Sequence, residues 1–384
     1  MIIRKPVVIG IVTTMVAMLS PALAQTRPTT TAAIAIANLD HALAQAVEPA
    51  QRVDLLLARS RFLSDHDALD EAVRLAGSLP IGRDHLLLRA RTYAAAHRFA
   101  QAESDLDAAL LSGADARQVA LQRASILVAT GHADDAVRLL GRHAGRLPGY
   151  AAHSAFAAAH AELGRYAEAD RHYRLALGEL RTTSPFPYAW THFARGLMWS
   201  EQAGDARRGE AEYALALAYL PAFASALVHK AELEFARGDV AAAIRRITPL
   251  AGAGHEPEAL SLLGEILRNG GDRIGGDRAV AAAALRYEAL LHRQPLAFAD
   301  HAVEFYRGPG NDAAAAWHWA RRNLANRATP RAFALAIDAA AANARDVCDL
   351  VREMRTLPGE RALSKTARAG RERRTMPNAA AHCP

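Results

Sequence analysis

The sequence is poor in the residues that usually build large cores and cross-links. Aromatic residues fill 6% of its 384 positions, lysine occurs three times against 43 arginines, and cysteine occurs twice. So few rings exclude a core of large interlocking aromatics, and two cysteines exclude a small fold stapled by disulfides. Beyond the first 24 residues no apolar run approaches the roughly 20 residues that a membrane-spanning helix needs. There is no His-Glu-x-x-His, no Cys-x-x-Cys, no glycine-rich phosphate loop and no Gly-x-Ser-x-Gly elbow. The chain is therefore expected to need no cofactor or metal and not to be an enzyme. What stands in place of these residues is alanine, at 90 positions within a 51% hydrophobic composition. Alanine has the best helix propensity and lets helices approach closely, so the expected class is all-α.

The N-terminus has three parts: the charges Arg4 and Lys5, a 13-residue apolar run from Val7 to Leu19, and the small residues Ala22 and Ala24 before Gln25. This is the pattern of a secretory signal peptide cut after Ala24. Thirteen residues of helix span only about 20 Å, short of the roughly 30 Å hydrocarbon core, so a retained anchor is the weaker reading. No cysteine follows the cut for a lipid anchor. The mature protein is expected to be periplasmic, with no transmembrane segment once the leader is removed.

From about residue 80 a segment recurs: glycine or histidine, then a small residue five positions on, then an aromatic residue or leucine, then alanine or leucine. His97 leads to Ala102, Gly131 to Ala136, Gly164 to Ala169, Gly204 to Gly209 and Gly238 to Ala243, and the turn recurs at Gly271 and Gly310. The separations are 34, 33, 40, 34, 33 and 39 residues. Each unit reads as a helical hairpin. The glycine takes the left-handed conformation at the reversal, the small residue sits where the two helices cross, and Pro148, Pro221 and Pro295 end second helices. This pattern resembles the tetratricopeptide repeat (TPR) family over roughly residues 50 to 330, although the family's tryptophan is replaced by Leu86, Ala120, His153, Phe193, Leu227 and Leu260.

The resemblance implies a right-handed superhelical solenoid of about seven or eight stacked TPR-like hairpins. Its boundaries are expected to be a signal peptide at 1–24, a lead-in at 25–48, an N-terminal array at 49–183, a C-terminal array at 184–357 and a basic flexible tail at 358–384. Two long spacings suggest insertions: a stiff connector at 182–187, which would be a hinge between the arrays, and an enlarged turn at 271–278. Both also fit tolerated loop drift.

The family implies a concave groove, lined by first helices, that binds a protein or peptide partner. In the register of the repeat, Arg91, Gln118 and Ser125 line the N-terminal half, and Glu232, Phe235, Glu258, Glu265, Arg268, Asp300, Glu304 and Arg307 line the more acidic C-terminal half. That half is expected to hold a polar or basic segment of a partner in envelope assembly or secretion. The alternative reading is a carbohydrate-binding or cell-wall-processing solenoid, which two facing carboxylates in a deep groove would favour.

His153 and His160 lie on one helix face and are expected to pack against the second helix of their unit. In the cluster Asp300, His301 and Glu304, the acids share a face and His301 is expected to point elsewhere. Cys348 and Cys383 either bridge, as an oxidising compartment permits, or remain one buried and one free thiol. Residues 1–27 carry +3 and residues 352–384 carry +5, which leaves −2 of the overall +6 on the body from 28 to 351. The body gives no reason to expect nucleic acid, and the tail suggests at most a weak contact with an anionic surface.

Overall fold

A computed structural model describes residues 27–143, 145–253, 256–357 and 383. The leader expected at 1–24 and nearly all of the tail from 358 onward lie outside the described residues. Every regular element that is described is helical.

A lead-in helix α1 (Ala32–Gln45) precedes nine hairpins. Units 1 to 3 are α2 (Pro49–Leu63) with α3 (His66–Ser78), α4 (Arg83–Ala95) with α5 (Phe99–Leu111), and α6 (Ala116–Ala129) with α7 (Ala133–Arg142). Unit 4 pairs α8 (Gly149–Glu162) with α9 (Tyr166–Glu179), and unit 5 pairs α10 (Phe186–Leu197), prolonged by a π turn over Met198–Gln202, with α11 (Ala206–Tyr219). Units 6 to 8 are α12 (Ala224–Ala236) with α13 (Val240–Ala253), α14 (Pro257–Asn269) with α15 (Arg273–Arg293), and α16 (Ala299–Arg307) with α17 (Ala313–Asn326). A short final pair, α18 (Pro330–Ala342) with α19 (Cys348–Met354), closes the array.

One backbone device repeats at each reversal. Ser64, His97, Gly131, Gly164, Gly204, Gly238, Gly271, Asn311 and Ala344 all have positive φ, and they lie 33, 34, 33, 40, 34, 33, 40 and 33 residues apart. The next amide reaches back to the last free carbonyls of the first helix, as from Arg98 to Tyr93, His132 to Leu127, Asp239 to Glu234 and Arg345 to Ala340. An aspartate often follows and caps the second helix: Asp65, Asp205, Asp272 and Asp312 accept from Ala68, Arg208, Gly275 and Ala315. The left-handed residue of unit 8 is therefore Asn311, not Gly310, and asparagine tolerates this conformation better than other non-glycine residues.

The crossing positions are closed to anything larger. Ala102, Ala136, Ala169 and Ala243 have no exposed surface. A Cβ on Gly209 would lie 2.4 Å from the Ser200 Cβ, and one on Gly276 would lie 2.6 Å from the Arg268 Cγ and 2.9 Å from the Gly264 carbonyl oxygen. The expected enlarged turn at 271–278 is not a loop. Gly271 makes an ordinary reversal, residues 273–278 are helical, and the extra length goes into α15, which runs 21 residues. Asp272 caps this helix through the Gly275 amide, and Gly276 fits the crossing with Gly264.

The array curls far enough for its first units to rest on its later ones. Phe62 at the end of α2 packs on Phe186 and Phe223, with ring centroids 4.8 and 5.2 Å away. Arg293, in the last turn of α15, reaches Asp67 and Asp70 of α3, both at 2.7 Å. The turn of unit 2 docks on the loop after α15: His97 Nδ1 donates to the Leu296 carbonyl (3.1 Å), and Asn326 Nδ2 donates to the His97 carbonyl (3.0 Å). Gly131 of unit 3 lies so close to Ala328 that an added Cβ would sit 2.3 Å from its carbonyl oxygen. The 182–187 connector is tied into the same closure, since the Thr183 carbonyl accepts from the Thr30 amide (2.8 Å).

Candidate functional site on the inner face of the first helices

The first helices of units 5 to 9 carry a continuous set of ionisable side chains. Arg331, on α18, donates to Glu201 Oε2 at 2.9 Å and to Glu304 Oε1 at 3.0 Å, joining unit 9 to units 5 and 8. His229 Nδ1, on α12, lies 3.0 Å from Glu201 Oε1 and 3.2 Å from Glu232 Oε2. His301 Nδ1, on α16, contacts Glu258 of α14, and its Nε2 is 3.8 Å from Asp300 Oδ1. Arg327 Nη1 reaches Asp300 Oδ2 at 3.4 Å, and Gln202 donates to Glu162 of α8 at 2.8 Å. The π turn helps to build this set. Ser200 Oγ donates back to the Gly196 carbonyl (2.9 Å) and lies 3.0 Å from the Tyr213 hydroxyl, so the chain widens just where Glu201 and Gln202 join the network.

The electrostatics follow from crowding by protein and by partners of opposite sign. Burial alone would lower His301, but Glu258 and Asp300 outweigh it and hold its pKa up to about 10. His229 is likewise raised, with burial opposed chiefly by Glu201. Burial would raise Glu201 and Glu258, yet His229 and Arg331 bring the first down to about 2, and His301 brings the second down to about 2. Asp300 is also held well below the carboxylate range, because His301 and Arg327 overcome its burial. Glu304 and Glu162 go the other way, since desolvation exceeds the pull of the arginines. At neutral pH both imidazoles are thus cations clasped by carboxylates, which makes them poor general bases. Among the described residues no group of three or more His, Cys, Asp or Glu is arranged to hold a metal.

The expected groove residues separate on this face. Glu232, Asp300 and Glu304 meet in the network, together with Glu258. Glu265 lies two turns beyond Glu258 on α14, half-buried. Phe235 packs against the core between units 6 and 8. Arg268 turns instead to Asp277 (2.8 Å) and the Pro309 carbonyl (2.8 Å), at a cleft of about 540 Å³ that Arg273 and Asn311 also line. Arg307 is exposed at the end of α16. In the N-terminal half Arg91 pairs with Asp54, Gln118 is exposed, and Ser125 Oγ donates within its own helix to Leu121.

His301 does not point elsewhere: α14 packs beside α16 and presents Glu258 to it. Glu201, His229, Arg327 and Arg331 were not expected. Glu201 carried a signal, because it lies one 34-residue repeat before Phe235, an expected groove position. His153 and His160, on α8, pack against the second helix at His172, with His153 Nδ1 3.1 Å from His172 Nδ1 and the His160 ring stacked 5.6 Å from it. Desolvation, then Arg171, lowers His172 to about 4. Cys348 and Cys383 form a disulfide with Cα atoms 5.1 Å apart, and Cys383 packs against the cluster of Phe333, Ile337 and Val351.

No family model and no curated protein matches the chain. Among solved structures it is similar to the APC/C hetero-tetramer Cut9–Hcn1, at 15% identity and a TM-score of 0.47, over 83% of this chain and 62% of that one. The chain thus spans less than two thirds of that protein's length. It is also similar to the human IFIT1 dimer with PPP-AAAA (13% identity, TM-score 0.43, 89% and 86% covered). A third similar structure is the C-terminal part of a TPR repeat-containing protein from Cytophaga hutchinsonii (13%, TM-score 0.36, 66% and 89%). The repeat in its own backbone, with a left-handed reversal every 33 to 40 residues and a small residue at the helix crossing, makes this chain a TPR-like helical-hairpin solenoid.

Proposed function

We propose that this protein is a non-enzymatic binding scaffold, exported to the periplasm, whose C-terminal concave face holds a polar or basic segment of a partner protein, with a role in envelope assembly or secretion. The observation that carries this reading is the first-helix network. Glu162, Glu201, Glu232, Glu258, Asp300 and Glu304 line one face against two arginines and two histidines, while Glu232 keeps half of its side chain open to solvent. A face with surplus acid, held by rigid helices, suits lysine or arginine side chains. The carbohydrate-processing alternative loses its main support, because Glu201 and Glu304 are bridged by one guanidinium rather than free to act as an acid–base pair. Export rests on the leader pattern at residues 1–24.

A photo-crosslinking residue placed at 232 or at 265 in growing cells should capture a discrete partner, and adding Glu265→Lys to the first or Glu232→Lys to the second should lose it. A crosslinker at Leu285, exposed on the second helix α15, should not capture it. Capture of the same species from all three positions would defeat the proposal. N-terminal sequencing of the exported protein should begin at Gln25.

A further inference from the structure

The opposite end of the interior holds a cation that the ion-pair pattern leaves over. The basic residues on the first helices take carboxylates almost throughout: Arg59 has Asp40 and Asp65, Arg89 has Asp105, Arg91 has Asp54, Arg123 has Glu103 and Asp107, Arg195 has Asp170 and Glu212, and Lys230 has Glu210. Of the described basic residues on the first helices, Arg61 and Arg307 have neither an ion pair nor a side-chain hydrogen bond, and Arg307 simply ends α16 in solvent. Arg61 is different. It lies seven residues after Asp54 on the same face of α2, so it shares the interior in which Asp54 meets Arg91 of α4. Its guanidinium carbon sits 4.8 Å from the ring centroid of Trp190 at the start of α10. Arg91 and the Tyr150 hydroxyl act on it electrostatically, and its pKa is lowered by desolvation first and by Arg91 second.

A guanidinium seated over the indole is held in place by the ring, and with no carboxylate in contact its N–H donors are free. A fork held in that way, without a carboxylate, is preorganised for an oxyanion. Charge chooses among oxyanions, because Arg91 and Asp54 neutralise one another and leave a single positive charge. We propose that Arg61, backed by Trp190, is a subsite of the concave interior that takes a singly charged oxyanion group, such as a carboxylate, of the bound ligand. The subsite exists only because the array curls: its residues come from units 1, 2, 4 and 5, and Phe62, next to Arg61, is the residue that locks α2 onto Phe186 and Phe223. It does not depend on the acidic face of units 5 to 9.

Phenylglyoxal labelling of the full chain, read peptide by peptide, tests the assignment, with Arg307 as internal control. Exchanging about 100 mM chloride for acetate at constant ionic strength should slow labelling of Arg61 by about threefold and leave Arg307 unchanged. Trp190→Phe, checked for folding by circular dichroism, should lose most of this protection because the fork is no longer held by the indole. Glu232→Lys/Glu265→Lys should retain it, so the subsite and the acidic face fail separately. Equal protection of Arg61 and Arg307, or none, would overturn the proposal. Stronger protection by phosphate than by acetate would overturn the single-charge assignment.

Discussion

The two halves of the solenoid treat histidine and charge in opposite ways. In units 2 and 4, His97 and His172 are desolvated without a carboxylate in contact. His97 is lowered to about 4 by burial, which Asp300 only partly offsets, and His172 is lowered to about 4 among His153, His160 and Phe156. In units 6 and 8, His229 and His301 are clasped by glutamates and raised. The ion pairs divide likewise. In the N-terminal half they are separate local pairs, within one hairpin as Arg89 with Asp105 and Arg52 with Glu71, or between adjacent hairpins as Arg123 with Glu103. In the C-terminal half a connected set also runs from unit to unit along the inner face, as Arg331 does between Glu201 and Glu304. Local pairs pin a hairpin, whereas a shared network couples neighbours, and only the second offers a ligand a continuous charged surface.

The most severe way to break this contrast is Arg89→Met. It leaves Asp105, whose side chain is 8% exposed, buried without its partner, and should cost about 3 kcal/mol in urea-unfolding measurements. Next comes Gly131→Ala, which touches neither half's interior but forces a side chain into positive φ and against Ala328. A loss of about 2 kcal/mol is expected, together with faster proteolysis at the junction of units 3 and 9. Arg331→Met should cost only about 1 kcal/mol despite having two partners, since its side chain is 42% exposed and water can replace it. If Arg331→Met proves more damaging than Arg89→Met, the distinction between local pins and a solvated network fails.

The gentlest probe is pH, and its signs oppose each other. His97 and His172 have folded pKa values near 4, below the unfolded value of about 6.5. The unfolded chain therefore binds more protons between pH 6.5 and 4, and their contribution to stability is lost as the pH falls through that window. His301 has a folded pKa of about 10, so its contribution is full below about pH 6.5 and lost as the pH rises towards 10. Hydrogen-exchange protection factors should accordingly drop first in α8 and α9 on going from pH 7 to 5, and first in α14 and α16 on going from pH 7 to 9. Protection lost uniformly in both directions would mean that the halves are not electrostatically distinct.

Much of the fold was legible because the hairpin is a short-range object. A left-handed residue, an amide reaching back five positions and a small residue five positions ahead all fall within a dozen residues, so His97 with Ala102 or Gly238 with Ala243 announce themselves. Where the same device used other side chains it was missed or misplaced, as at Ser64, Asn311 and Ala344, because only the backbone angle identifies those positions. Less of the site was legible. The register picked out Glu232, Asp300 and Glu304 as inward-facing, but not that His301 would meet Glu258, and it assigned Arg268 to a face that its pairing with Asp277 takes it away from.

The two longest spacings show where legibility stops. Each adds about six residues, yet one goes into a connector and a π turn that carries Glu201 inward, and the other into two further turns of α15 that carry Arg293 to Asp67. The amino-acid sequence by itself determined the period, the reversals and the close crossings, since each depends on the φ angle or size of one residue and on neighbours a few positions away. Tertiary structure alone decided which charges became partners, where the early units came to rest and that Arg61 would lie on Trp190. Those contacts span up to 229 residues and depend on a small rotation per hairpin summed over six units, a quantity that no single residue encodes.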